Sequence, residues 1–137
     1  MIIPFNMSDV FTATSSRLEN AECLRALLDC LIAVDVSYLE HHKAPSLYGA
    51  RVRYGRTEEW ERIPDVIRRG GGDCKSLAAW RIAELRKDGH RADPEFRFMP
   101  RPRDSIPNFH ILVRTANGAE DPSAILGMNK SELAYFR

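Results

Sequence analysis

The sequence predicts an α+β domain in which an N-terminal helix and a cysteine-bearing helix pack on a small antiparallel sheet. Three observations predict it. Apolar residues recur at helical spacing over 18–39 and again from Cys74 through Leu77, Ala78 and Ile82 to Leu85. The pattern then changes to the alternation Glu95-Phe96-Arg97-Phe98-Met99 and the run Phe109-His110-Ile111-Leu112-Val113-Arg114, both of which read as strands. Asn117-Gly118 follows as a hairpin signal. With 137 residues, 44% of them hydrophobic, the chain suffices for one cored domain spanning 1–137.

Taken in order, residues 8–16 are rich in Ser and Thr, and 1–16 are expected to be irregular. Ser16-Arg17-Leu18-Glu19 matches a capping box and opens a long helix over 17–40, with Leu24, Leu27, Leu28, Leu31, Ile32 and Tyr38 as its apolar face. Cys23 and Cys30 lie two turns apart on that helix, too distant for an unstrained disulfide, and read as packing residues. His41-His42 reads as polar loop rather than a ligand pair, and no His/Cys grouping has zinc-site spacing, so no metal is expected. The loop after it contains an alternating piece, 51–54, that suits a short strand. Thr57 is placed to cap a short helix over 58–63, ahead of Pro64, with a second over 65–69. Gly70-Gly71-Gly72 runs into Asp73, the expected N-cap of the cysteine helix, and Gly89 is its expected C-cap.

Three prolines within 100–107 end the strand at Met99 and make a loop that leads into the histidine strand. Arg97, Arg101 and Arg103 read first as a solvated face and second as an attraction for an acidic substrate. The end of the chain reads as a turn and a short helix capped by Ser131.

Cys74 falls at the first helical position, where unpaired N–H groups and the helix dipole favour a thiolate. The glycines before it admit a second chain close by. The bland reading, a small core residue, applies to most such cysteines. His110 on a strand and Asp121 beyond the next turn change the balance, because the three together compose a nucleophile, its base and the base's orienting acid. The hairpin decides whether they can meet. A two-residue Asn117-Gly118 turn leaves Asp121 roughly 13 Å along the strand from His110; a four-residue loop over 114–117 sets it directly opposite. In the first case Asn108 is the nearest substitute. Tyr48, Tyr54 and Trp60, together with Asp73, stand upstream as substrate or oxyanion candidates, against the plainer reading that the aromatics cover core.

Pro45-x-Leu47-Tyr48, Val52-Arg53-Tyr54, Glu59-Trp60-x-x-Ile63-Pro64, the stretch 70–80, Ala83-Glu84-Leu85-Arg86, His110 and Glu120-Asp121-Pro122-Ser123-x-x-Leu126-Gly127-Met128 resemble the small transglutaminase-like cysteine proteins of tailed phages and prophages. The resemblance covers 44–128. It implies a papain-like fold and a Cys74–His110–Asp121 triad acting without a cofactor. Lys75 departs from the pattern, since the residue after the cysteine is typically acidic in these relatives. The function implied is thiol-dependent acyl chemistry on an amide of a protein or peptide, as a cysteine peptidase or amidase or as a transglutaminase. The alternative is a virion structural or assembly protein that binds a tail or head component, its triad vestigial or used once. The expected setting is a bacterial host cytoplasm or the virion. A formal charge of +1 gives no reason to expect nucleic acid or an anionic membrane as partner, and no apolar run approaches the length of a membrane span.

Overall fold

The computed structural model describes residues 17–57, 59–99 and 109–136. The expectations for 1–16, for the capping box at Ser16, for the proline loop with Arg101 and Arg103, and for Asn108 fall outside them. Helix α1, Arg17–His41, is the long helix that the apolar spacing predicts. Its buried side chains are Leu24, Leu28, Leu31, Ile32, Asp35 and Leu39, the three-and-four spacing of one helix face. Cys23 and Cys30 miss that face. Cys23 is only partly buried and Cys30 is exposed, so the packing role expected of both fails for Cys30. His41 Nδ1 bonds back to the Ser37 carbonyl at 2.7 Å and His42 stacks on Tyr38, so both rings are used locally.

Strand β1 (Arg53–Tyr54) pairs in parallel with β2 (Gly71–Gly72). Gly71 is needed there because a Cβ would lie 2.7 Å from the Arg53 carbonyl oxygen. Between them runs α2, Ile63–Arg69, closed by Gly70 in the left-handed conformation with φ 78°. The helix expected over 58–63 does not form. Glu61 N–H donates instead to Ser76 Oγ at 3.1 Å and Ile63 N–H to Asp35 Oδ1 at 3.0 Å. Pro64 fits the first turn of α2, where its missing N–H costs nothing, and the extended residue that starts the helix is Arg62. Helix α3, Cys74–Lys87, ends at Asp88, and Gly89 is the left-handed residue just beyond, with φ 84°.

Strands β3 (Ala92–Phe98), β4 (Phe109–Thr115) and β5 (Gly118–Glu120) form the antiparallel sheet in that order. Pro94 is accommodated because β3 is an edge strand. Phe109, Ile111 and Val113 face the core of α1 and α3, which includes Leu28, Ile32, Ala78 and Ile82. A second core under Trp80, Leu77 and Leu47 joins α1, α2 and α3. Two short helices close the chain: α4, Pro122–Ile125, and α5, Lys130–Leu133, followed by a 3-10 turn over Ala134–Phe136. Asn129, not Ser131, caps α5; its side chain accepts the Ser131 N–H at 2.8 Å. The chain is thus a mixed α+β structure with a small antiparallel sheet. No helix among the described residues is long and apolar enough to cross a membrane.

Asp35 is fully buried, and its second oxygen has no partner among the described residues. Burial outweighs the Ile63 N–H and the Arg62 charge and pushes its carboxyl from 3.8 to about 7, with Asp65 adding to the rise. A carboxyl raised on folding binds more protons in the native state than in the unfolded one. Its destabilising contribution is therefore absent below the unfolded value, grows as pH rises through that window, and is complete above about 7. Asp35→Asn keeps the acceptor for Ile63 and removes the ionisation. Its stability relative to wild type is expected to rise by roughly 2–4 kcal/mol between acid and neutral pH, since each tenfold change in proton affinity is worth about 1.4 kcal/mol. Urea unfolding at several pH values checks this; a pH-independent difference contradicts it.

Candidate active site

Cys74 opens α3, and the turn is built by Asp73. The Asp73 carboxylate accepts the Lys75 N–H at 3.1 Å and the Ser76 N–H at 3.4 Å, and its carbonyl accepts Leu77 N–H at 3.0 Å. That leaves the Cys74 N–H as the first-turn donor Asp73 does not take up. The other carboxylate oxygen is ion-paired with the Lys75 ammonium, and both side chains are buried. Burial outweighs Lys75 and leaves the Asp73 carboxyl above its ordinary range. Lys75 Nζ also reaches the Thr57 carbonyl at 3.4 Å and stands 5.6 Å from the centre of the Trp60 ring. Asp73 is therefore engaged as a helix cap and counter-ion.

Cys74 belongs to the buried cluster that includes Ile32, Ala78 and Ile111, with the residue 5% exposed. Strand β5 pairs only with Val113–Thr115, which leaves β4 at Ile111 outside that ladder, and the Ile111 N–H donates toward the sulfur. Burial raises the thiol to about 12, with Asp73 and Asp121 adding to the rise and Lys75 and the Ile111 N–H opposing it. This corrects the expectation of a thiolate favoured by the helix terminus alone. Desolvation of a buried anion exceeds what one turn of backbone donors returns.

His110, next to Ile111, is 2% exposed. Its Nε2 lies 2.9 Å from Asp121 Oδ2. A carboxylate only accepts, so Nε2 carries the hydrogen and Nδ1 is the basic nitrogen. Nδ1 is buried without a hydrogen-bond partner among the described residues. Neither hairpin register expected from the sequence is adopted. Val113 pairs with Glu120 and Thr115 with Gly118, so Ala116-Asn117 is the loop. Thr115 fixes it, its hydroxyl accepting the Asn117 N–H at 3.1 Å and donating to the Gly118 carbonyl at 3.0 Å. Asp121 then falls one step past β5, diagonal to His110 on the same side of the sheet, within reach of a side-chain contact. There it also caps α4, Oδ1 accepting the Ala124 N–H at 3.1 Å.

The structure thus brings His110 to Asp121 and the sulfur to the neighbouring peptide, without a hydrogen bond between Cys74 and His110. The upstream candidates separate. Tyr54 is half-buried, and a charge on Cys74 disfavours its ionisation, second only to burial itself. Trp60 packs against the core that holds Cys74. Tyr48 is not packed against the Cys74 cluster; its hydroxyl donates to Glu120, next to Asp121, and its ring lies 5.0 Å from the Arg81 guanidinium. Phe136 was not legible as a site residue, yet its ring lies 5.3 Å from that of His110, and with Arg97, Leu112 and Leu133 it lines a cavity of about 170 Å³ beside the His–Asp pair. Nothing in its sequence spacing marks it, because the contact comes from the return of the last turn over the sheet.

No protein-family model matches the chain, no curated protein matches it, and no solved structure matches its fold.

Proposed function

We propose that this chain performs thiol-dependent acyl chemistry on an amide of a protein or peptide, in a papain-like, transglutaminase-like domain. The observation that carries the reading is the His110–Asp121 hydrogen bond, which leaves a basic Nδ1 buried one residue before Ile111, whose N–H opposes the rise of the Cys74 thiol. In the reaction the Cys74 proton passes to His110 Nδ1, and the sulfur bonds to the amide carbonyl carbon. The Cys74 N–H and the Tyr54 hydroxyl hold the oxyanion. Collapse of the tetrahedral adduct breaks the C–N bond, and the imidazolium gives its proton to the departing amine. Water then attacks the thioester with His110 as base, releasing acid and restoring the thiol; an amine in place of water makes a new amide. Hydrolysis is the favoured outcome, since transfer also needs an amine site and exclusion of water. Sulfur and imidazole contacts in unliganded enzymes are often unformed and tighten only when substrate binds, and the proposed transfer requires such a closing of Cys74 on His110.

A second reading has a specific observation behind it. The 5% exposure of Cys74 and its raised thiol suit a structural or assembly protein, such as a virion component of a phage in its bacterial host, whose triad no longer turns over. The rate of Cys74 alkylation by iodoacetamide as a function of pH, in wild type and in His110→Ala, separates the two. The enzyme reading expects labelling at neutral pH that depends on His110.

A further inference from the structure

The cavity beside His110 and Asp121 has a charge that none of these steps uses. Leu112, Leu133 and Phe136 give it an apolar wall. Its volume of about 170 Å³ has room for about six waters at their liquid share of about 30 Å³, which matches a short side chain. Of its charged groups, Glu120 is held by Arg81 at 2.6 and 3.4 Å and by the Tyr48 hydroxyl. Both oxygens of Asp121 are engaged, by His110 and by the Ala124 N–H. Arg97 differs. Among the described residues its contacts, to Glu95 Oε2 and to the Phe136 carbonyl, are each 3.4 Å, longer than the roughly 2.7–2.9 Å of a charge-assisted bond. Glu95 is held chiefly by Arg114, through two guanidinium nitrogens. The Arg97 side chain is 39% exposed, so a solute can reach it.

We infer that this cavity binds a carboxylate carried on a short apolar stem, the chemistry of an acidic side chain, with Arg97 as its partner. A guanidinium presents a planar fork that takes both oxygens of a carboxylate. The apolar wall takes the stem, and Glu120 and Asp121, which also line the cavity, disfavour a compact, doubly charged anion. Only the extension to catalysis, that the substrate carries an acidic residue next to the amide, rests on the acyl-transfer reading.

The test is an NMR titration of the full chain, following the His110 ring and the Arg97 Nε–H, with N-acetylglutamate, N-acetylglutamine and inorganic phosphate, each to about 50 mM to cover millimolar affinities. The expected result is saturable binding of the acid, at least about tenfold weaker binding of the amide and of phosphate, and loss of acid binding in Arg97→Gln. Should Arg97→Gln fail to fold, Arg97→Lys carries the comparison, with acid binding several-fold weaker and the amide unchanged. No acid binding by wild type, equal binding of acid and amide, phosphate binding as tight as the acid, or acid binding indifferent to both variants overturns the inference. The same titration in Cys74→Ala is expected to match wild type, so loss of thiol chemistry and loss of carboxylate binding are read separately.

Discussion

Asp121→Asn is expected to cut acyl transfer by about 10⁴-fold while leaving stability within about 1 kcal/mol of wild type. The two expectations come from the two oxygens of one carboxylate. Oδ1 caps α4 through the Ala124 N–H, and asparagine caps a helix as well as aspartate does. Oδ2 holds the His110 Nε2 hydrogen, which fixes Nδ1 as the base. An amide there can turn its NH₂ toward Nε2, moving the ring hydrogen to Nδ1, where it cannot take the thiol proton; it also no longer stabilises the imidazolium. Thioester turnover with a peptide or activated ester, measured beside urea unfolding, checks both halves. A loss of activity in step with a loss of stability reduces Asp121 to a cap.

Asp73→Ala is expected to cost about 3–5 kcal/mol, because it leaves the buried Lys75 ammonium without its counter-ion, and about 1 kcal/mol of lost capping is included in that range. Against the roughly 5–15 kcal/mol that holds a domain folded, this is a large share. Lys75→Met strands Asp73 in the same way. The double variant Asp73→Ala/Lys75→Met is expected to be more stable than either single one, since an ion pair whose desolvation exceeds its attraction is better removed whole. The raised carboxyl of Asp73, with its cation beside it, is consistent with that sign. Urea midpoints of the three variants complete the cycle. Additive losses in the double variant contradict the account.

Much of this architecture was legible where local and tertiary preferences agree. The apolar spacing of Leu24, Leu28, Leu31 and Ile32 located α1 to within a residue of its observed bounds, and Asp73 located the start of α3. The failures lie where a distant partner decides. The backbone donors of Glu61 and Ile63 could have served a helix, but Ser76 and Asp35 accept them from other elements. Cys30 shares an apolar stripe with Leu27 and Val34, yet Val34 is 45% exposed, so the core covers only the neighbouring stripe. The observed register comes with a Thr115 hydroxyl that accepts the Asn117 N–H and donates to the Gly118 carbonyl, a side-chain turn weaker than the Asn117-Gly118 signal the sequence shows. Within the site the roles of Cys74, His110 and Asp121 could be framed from residue type and order. The burial that raises the thiol, and the approach of Phe136 and Arg97, arise only in the packed chain.

The pH profile of Cys74 alkylation by iodoacetamide bears most directly on the proposed chemistry, read at the Cys74 peptide by mass spectrometry so that exposed Cys30 does not obscure it. If burial alone governs the sulfur, labelling climbs only toward the raised value of about 12 and is the same in wild type and His110→Ala. If His110 takes the proton, the buried pair becomes thiolate and imidazolium. Wild type then labels on a plateau reached well below the ordinary thiol value of about 8.5, and the variant loses it. The acyl-transfer account predicts the second profile. Coincident profiles for the two proteins contradict it.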